Sequence, residues 1–275
     1  MPGDPLAGYL LAAGAGAVVG RPVVLVMLAA LLLYMAGLIT NDVADIRVDA
    51  RERPKRPLPS RAVDETIARL IAVSLIALAL LLARYVGWAT AGVALGLLVC
   101  ISLYNQFLKA GPLGPLCMGL CRGLSLLLGA SVAGFSSPLV WIGAGGLTLY
   151  VMAVTLVARG EMAERRPAWL GFLPLVAVAA VSVVLLQASA VSGLMQGRLG
   201  AVLFLLFAMS GLAAWNIKGG AAVPPQIGRL ISALIFLQAS FCLAANAGAV
   251  SLGVGLALLV LWPLNRLLAR WISPS

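Results

Sequence analysis

Ten apolar segments occupy most of the chain and restrict its fold more than any other feature. They lie between proline, glycine and charged residues, at 6–20, 22–44, 64–84, 88–107, 114–134, 138–159, 168–188, 198–217, 225–246 and 249–269. A helix crosses a bilayer with roughly 20 apolar residues, and only helices or closed barrels satisfy their backbone hydrogen bonds in lipid. The sequence therefore predicts an all-α fold, a polytopic transmembrane helix bundle of nine to ten spans around a central cavity with a polar cap.

The composition excludes a soluble protein. Hydrophobic residues make up 62% of the chain and charged residues 10%, whereas soluble domains average about 25% charged residues. We interpret residues 1–275 as a single integral-membrane domain, in which residues 46–63 form a cytoplasmic cap loop. The absence of histidine excludes histidine-ligated metals and serine–histidine catalytic pairs.

The net charge of +10 would suggest a nucleic-acid partner in a soluble protein. Here all lysines and arginines except Arg21, Arg84 and Arg198 lie in or beside alternate loops and the C-terminal segment. Positive charge accumulates on the cytoplasmic side of membrane proteins. We therefore expect no nucleic acid as a partner, a lipid bilayer around the chain, and both termini in the cytoplasm. Nine spans would instead place Arg266 and Arg270 outside.

Three aspartates end the second apolar segment. Asp42, Asp45 and Asp49 are spaced at i, i+3 and i+7, which places all three carboxylates on one face of a helix. Carboxylates beside hydrocarbon are costly, and a divalent cation is the simplest means of holding three together. We predict a metal site here, supported by the amide of Asn41. The alternative is that these acids are solvated at the level of the lipid headgroups.

The basic stretch 51–61 follows this cluster and contains three prolines. One interpretation is a polybasic loop held to anionic lipid, at about 1 kcal/mol per basic residue. The other is an anion clamp over the metal, in which Arg53 and Arg56 bind a phosphate group, because guanidinium groups form bidentate bonds with phosphate. We favour the clamp because it lies beside the aspartates.

Residues 159–166 form a second charged cluster. Glu161 and Glu164, at i and i+3, are candidates for a second metal face, with Arg159 as a candidate phosphate contact. The alternative is an ordinary stop-transfer cluster whose Glu–Arg pairs contribute little. Lys109 and Arg122 are further candidate phosphate contacts. For Arg122 the reason is that an arginine within the membrane is costly and indicates a partner.

Other residues carry less information. Cys117 and Cys121 share a helix face at i and i+4 and could bind a soft metal, but small apolar packing explains them better. Asp64 and Glu65 favour the positive N-terminal end of the third helix. Asp4 is separate from the other acidic residues.

The motifs resemble those of the UbiA-type membrane prenyltransferases. The resemblance is carried by the pattern N-D-x-x-D-x-x-x-D at 41–49, by R-P-L-P-S at 56–60, and by Tyr104-Asn105 with Lys109. The helix order is similar across essentially the whole chain. The stretch T-L-V-A-R-G-E at 155–161 resembles the branch often called EboC-like.

The resemblance implies a helical bundle, usually of nine spans, that performs Mg²⁺-dependent transfer of a prenyl group. The donor is an isoprenyl diphosphate and the acceptor is a hydrophobic, often aromatic, molecule. By this resemblance the metal ligands are Asp42, Asp45 and Asp49, with Asp42, Asp45 and Asn41 as the catalytic residues. Arg56 and Lys109 hold the diphosphate.

The chain departs from the family pattern in two motifs. The family usually has a DxxD-type motif after helix six, where this chain has Glu161 and Glu164, and commonly has glycine where Arg61 stands. An alternative function is therefore a transporter or binder of an isoprenoid or aromatic small molecule. We expect the active site on the cytoplasmic side of a bacterial inner membrane. Prenyl length, acceptor identity and oligomeric state stay open.

Overall fold

The structure, a computed structural model, describes residues 3–160, 168–189, 191, 193–218 and 223–272, and every regular element in these ranges is helical. Single turns of 3₁₀-helix lie at Gly14–Gly16 and Ala168–Phe172, and a π-helical turn lies at Tyr104–Leu108. The α-helices are α1 (Gly3–Ala13), α2 (Arg21–Ala44), α3 (Ile46–Glu52), α4 (Glu65–Val86), α5 (Trp88–Leu103), α6 (Gly114–Ala130), α7 (Pro138–Gly160), α8 (Leu173–Ala188), α9 (Gly193–Lys218), α10 (Val223–Ala244) and α11 (Gly248–Ile272).

Each predicted apolar segment coincides with one helix, which confirms the all-α membrane fold. In the described residues, seven helical stretches are long and apolar enough to cross a bilayer, and two shorter apolar stretches lie at Gly114–Ala130 and Gly248–Pro263. The 11 residues of α1 rise only about 16 Å, half of a bilayer core of about 30 Å. The count of nine to ten spans stays a prediction, because α1 alone cannot cross the bilayer.

Helix α6 lies at the centre of the bundle. It packs against α1, α5 and α7, and its side chains belong to both of the large apolar cores. One core joins α1 and α6 to α7, α8, α9 and α10. The other joins α2, α4 and α5 to Leu128 of α6. Many large apolar side chains on the outer faces, such as Leu81 and Phe204, are exposed, as expected for helices that face lipid.

Two glycines bring α1 and α6 into backbone contact. A Cβ on Gly8 would overlap the carbonyl oxygen of Leu126, and one on Gly129 would overlap that of Pro5. Small residues at such crossings let membrane helices approach closely and gain van der Waals contacts. The position of α1 therefore depends on these two glycines.

We predict that Gly129→Ala lowers the free energy of unfolding by about 1–3 kcal/mol, because the new methyl group forces α1 away from α6. The matched control is Gly92→Ala in α5, where a Cβ would meet nothing within 4 Å. That substitution should be neutral or stabilising by up to about 1 kcal/mol. Thermal unfolding of the purified proteins in detergent measures both. Equal effects of the two substitutions would contradict the close approach.

The aspartate cluster does not lie on one continuous helix. Helix α2 ends at Ala44, Asp45 occupies the junction with φ −88° and ψ 0°, and the separate α3 begins at Ile46. The amides of Asp45 and Asp49 still donate to the carbonyls of Asn41 and Asp45 at 2.9 and 2.8 Å, so the helical hydrogen-bond pattern continues across the junction, and the single face for all three aspartates stays a prediction. The first seven residues of the predicted 46–63 cap loop are helical, and turns follow until Asp64 caps α4 by accepting hydrogen bonds from the amides of Thr66 and Ile67.

Arg61 in this loop adopts the left-handed backbone conformation, with φ 59°. Glycine adopts that conformation without the steric cost that other residues have, roughly 1–2 kcal/mol. The glycine expected here from the resemblance therefore matches the backbone that the structure shows.

We predict that Arg61→Gly stabilises the protein by up to about 1 kcal/mol, since relief of backbone strain exceeds the added entropy of the unfolded chain. Ala62→Gly is the matched control, because residue 62 has no positive φ. The midpoints of thermal unfolding should rise for the first variant and not for the second. A lower midpoint for Arg61→Gly would show that the side chain contributes more than the strain costs.

Candidate active site

A cavity of about 380 Å³ lies between α2, α5, α6 and the π-helical turn. Aliphatic side chains form much of its wall, among them Ala30, Leu38, Leu97 and Ile101. Its polar lining residues are Tyr34, Asn41, Tyr104, Asn105, Lys109, Arg122 and Ser125. An apolar pocket with a few convergent polar groups is the usual form of a small-molecule site.

Asn41, Asp45 and Lys109 form a polar cluster where α2 ends beside this cavity. The ammonium of Lys109 donates to the Asn41 Oδ1 at 3.0 Å and forms an ion pair with the carboxylate of Asp45. The Asn41 Nδ2 donates to the Asp45 Oδ2 at 3.2 Å. Asn41 and Lys109 also line the cavity, so the cluster joins the aspartates to the interior.

The π-helical turn positions Lys109. In this turn the backbone amide of Lys109 donates to the carbonyl of Tyr104, five residues earlier, at 3.0 Å. The side-chain amide Nδ2 of Asn105 donates to Gly37 O at 3.0 Å and to Thr40 Oγ1 at 2.9 Å, which fixes the turn to α2. Where such turns interrupt α-helices, they frequently lie at functional sites. The predicted pair Asn105 and Lys109 is thus placed directly against the aspartate segment.

Arg56 joins the other two aspartates. Its Nη1 donates to the Asp49 Oδ2 at 2.7 Å and lies 3.8 Å from the Asp42 Oδ1. The hydrogen bond from Arg56 to Asp49 raises the pKa of the guanidinium above its ordinary value, so Arg56 stays charged. The side chain of Asp49 is 10% exposed and that of Asp42 is 57% exposed. The basic loop therefore folds back over the aspartates through Arg56, and its role as an anion clamp stays a prediction.

Of the other predicted site residues, Arg159 contacts the backbone that follows Lys109, whereas Arg53 is exposed in the basic stretch. The guanidinium of Arg159 donates to the carbonyls of Ala110 and Gly111 at 2.5 and 2.6 Å, directly after Lys109. Arg53 is exposed at the C-terminal end of α3. Glu161 and Glu164 lie outside the described residues, so their predicted role as metal ligands stays a prediction.

Arg122 lines the cavity and is paired with an acid that the sequence did not connect to it. Its Nη2 lies 3.0 Å from the Asp4 Oδ1, and the same oxygen accepts from the Gln238 Nε2 at 2.5 Å. Asp4 is fully buried. The sequence signal for this pair was the cost of Arg122 in an apolar segment, which predicts a partner but not which one.

The aspartates suit a hard cation in their chemistry. Carboxylate oxygens are the ligands that Mg²⁺ prefers in proteins, and oxygens of Asp42 and Asp49 lie within 3.8 Å of one Arg56 nitrogen. In the described part of the chain, the groups of three acidic or cysteine side chains close enough to share one ion include only cysteines. Rotation of the aspartate side chains away from Arg56 and Lys109 would therefore be needed to bind a metal.

Comparison with known proteins identifies the family of this chain. The model of the UbiA prenyltransferase family matches residues 5–225, four fifths of the chain. The chain belongs to the UbiA prenyltransferase family. This confirms the resemblance read from the aspartate motif, and the matched range contains every predicted site residue. The EboC-like branch stays a prediction.

Curated relatives of this UbiA-family chain are named digeranylgeranylglyceryl phosphate synthase. The protein of Methanosarcina barkeri is 38% identical over 112 residues, which cover 40% of this chain and 39% of the relative. That of Sulfolobus acidocaldarius is 33% identical over 117 residues, covering 40% and 42%. The chain thus spans about two fifths of the length of the curated relatives it matches.

A solved structure extends the likeness to nearly the whole fold. The apo structure of a UbiA homolog from Aeropyrum pernix K1 superposes with a TM-score of 0.70 at 18% identity. The superposition covers 87% of this chain and 95% of that one. The helices around the cavity are therefore arranged as in the UbiA fold. Together with the seven apolar helices of the described residues, this makes the chain an integral membrane protein.

Proposed function

We propose that this protein is a membrane prenyltransferase that transfers a prenyl group from an isoprenyl diphosphate to a hydrophobic acceptor. The observation that carries this proposal is the Asn41–Asp45–Lys109 cluster, which joins acidic and basic groups at an apolar cavity. A prenyl diphosphate has the same two-part chemistry, an anionic head and a hydrocarbon tail. The names of the relatives, which are synthases of a digeranylgeranyl lipid, support this substrate class.

Prenyltransferases of the UbiA family generally depend on a metal, and we propose Mg²⁺ for this chain. Asp42, Asp45 and Asp49 would hold it, with Glu161 and Glu164 as candidates for a second site. Bound there, Mg²⁺ would neutralise negative charge on the diphosphate as it leaves. The amide of Asn41 keeps Asp45 in place through the hydrogen bond at 3.2 Å.

Arg56 and Lys109 supply the positive charge that the leaving diphosphate needs. Both are now paired with aspartates, so they are already located at the site. With Mg²⁺ held by the aspartates, the two cations would be available to phosphate oxygens, where such charges lower the barrier most. Arg159 holds the carbonyls that follow Lys109 and supports its position. Arg53 and Arg122 stay candidate diphosphate contacts.

The cavity protects the reacting carbon from water. Breaking the allylic carbon–oxygen bond leaves a carbocation that water would quench, and an apolar wall excludes water. The rings of Tyr34 and Tyr104 lie in this wall, and aromatic faces attract cations. The acceptor would meet the cation here. An aromatic acceptor follows from the resemblance, and an isoprenoid glyceryl phosphate follows from the names of the relatives.

The proposed site lies on the cytoplasmic side, because nearly all positive charge of the chain is concentrated there. Both termini in the cytoplasm and a bacterial inner membrane are part of the same proposal.

The proposal is tested with the purified protein in detergent. Geranylgeranyl diphosphate, MgCl₂ and either an aromatic or an isoprenoid glyceryl phosphate acceptor are supplied, and released pyrophosphate and prenylated product are measured. We expect Mg²⁺-dependent release of pyrophosphate with one acceptor class. Binding of the diphosphate without turnover, with either acceptor, would instead support the alternative of a binder or transporter.

A further inference from the structure

Three cysteine thiols converge where α5 packs on α6. Cys100 belongs to α5, and Cys117 and Cys121 belong to α6. Their sulfur atoms all lie within 4.8 Å of one another, and those of Cys100 and Cys117 are 3.3 Å apart. The spacing of Cys117 and Cys121 predicted only that these two share a helix face. It could not predict Cys100, because Cys100 lies on another helix and joins them through tertiary packing. Small apolar packing of Cys117 and Cys121 does not by itself explain why a third sulfur lies beside them.

The cluster separates two cavities. Cys121 lines the cavity beside the aspartates, whereas Cys100 and Cys117 line a second cavity of about 310 Å³ between α5 and α6. Cys100 and Cys117 are buried and Cys121 is half-buried. An ion can therefore reach the sulfurs through the cavity that Cys121 faces, and an access path is one requirement of a metal site.

We propose that Cys100, Cys117 and Cys121 form a three-sulfur site for a soft monovalent metal ion of the Cu(I) type. Thiolate ligands select soft ions such as Cu(I) and Zn²⁺. Structural Zn²⁺ almost always takes four ligands, and the chain has no histidine to supply one. The cluster in the described residues consists of three cysteines, which suits an ion of lower coordination number.

The distances need only small adjustments. Three sulfurs around an ion at about 2.3 Å lie roughly 4 Å apart; Cys100 and Cys117 are now 3.3 Å apart, and all three sulfurs lie within 4.8 Å of one another. Without an ion, weak hydrogen bonds hold the thiols, from Cys100 Sγ to Cys117 O at 3.4 Å and from Cys117 Sγ to Cys100 O at 3.2 Å. Binding replaces these bonds by metal–sulfur bonds and releases one thiol proton to water, with no change in oxidation state. One thiolate with two thiols would leave the site electrically neutral in a low-dielectric environment.

The test is an anaerobic titration of the purified full chain with Cu(I) in competition with a chromophoric Cu(I) chelator. We expect one ion per chain, and at least a tenfold loss of affinity in both Cys121→Ser and Cys117→Ser. Cys242→Ser is the matched control, because Cys242 is fully buried in α10 and outside the cluster. Its affinity should equal that of the wild type. Unchanged affinity in Cys121→Ser, or no binding by the wild type, would overturn the proposal.

A second measurement guards against variants that fail to fold. X-ray absorption of the Cu(I)-loaded wild type should show sulfur neighbours only, and all four thiols of the metal-free protein should react after denaturation. A disulfide between Cys100 and Cys117 in protein purified under reducing conditions would overturn the proposal, as would nitrogen or oxygen neighbours of the ion. Neither result depends on prenyltransfer, so the site can fail while the proposed enzyme activity stands.

Discussion

Asp45→Ala is expected to reduce the turnover number for pyrophosphate release by at least about 100-fold, with little change in KM for the isoprenyl diphosphate. Asp45 is the carboxylate that contacts both Asn41 and Lys109 beside the cavity. Its loss removes a proposed metal ligand and frees Lys109. The remaining positive charge still attracts diphosphate, so binding persists while charge stabilisation in the transition state is lost.

Two further variants separate this effect from a general loss of structure. Lys109→Met should raise KM and also lower turnover, because Lys109 is proposed to bind the diphosphate itself. Glu65→Gln is the matched control, since Glu65 forms an exposed ion pair with Arg69 in α4. Steady-state kinetics with released pyrophosphate as the readout distinguish the three. Full turnover by Asp45→Ala would remove the cluster from the mechanism, and so would an equal loss in Glu65→Gln.

The sequence predicted the membrane helices well because each apolar run ends at a local signal. Gly20 and Pro22 mark the start of α2, Asp64 caps α4, and Gly87 separates α4 from α5. These signals act through nearby backbone geometry, so they can be read without knowledge of the fold. The cost of acids in hydrocarbon likewise indicated the Asp42–Asp49 segment as a site.

The details that shape the site could not be read in this way. The break at Asp45 and the π-helical turn before Lys109 depend on bonds between distant segments, such as Asn105 to Thr40. Periodicity assumes a regular helix, so it predicted one continuous helix where the structure has a junction at Asp45. Cys100 reaches Cys117 and Cys121 only because α5 packs on α6, which no local pattern encodes.

The second large effect is expected from Asp4→Ala, which should lower the free energy of unfolding by about 3–5 kcal/mol. Asp4 is fully buried and lies 3.0 Å from the guanidinium of Arg122, whose side chain is 12% exposed. Gln238 donates to the same carboxylate oxygen from α10. Removal of the carboxylate takes from Arg122 its buried ion-pair partner in α1 and also breaks the connection between α1, α6 and α10.

The combination of Asp4→Leu with Arg122→Leu provides the decisive comparison. When both charges of a buried pair are replaced by apolar residues, the cost of desolvating them disappears as well. The double variant should therefore unfold at a higher temperature than Asp4→Ala, although it has lost more polar contacts. Glu65→Ala is the surface control, since it breaks an exposed pair with Arg69 and exposed pairs contribute at most about 1 kcal/mol. If Asp4→Ala and Glu65→Ala unfold at the same temperature in detergent, the buried pair does not hold α1 against α6.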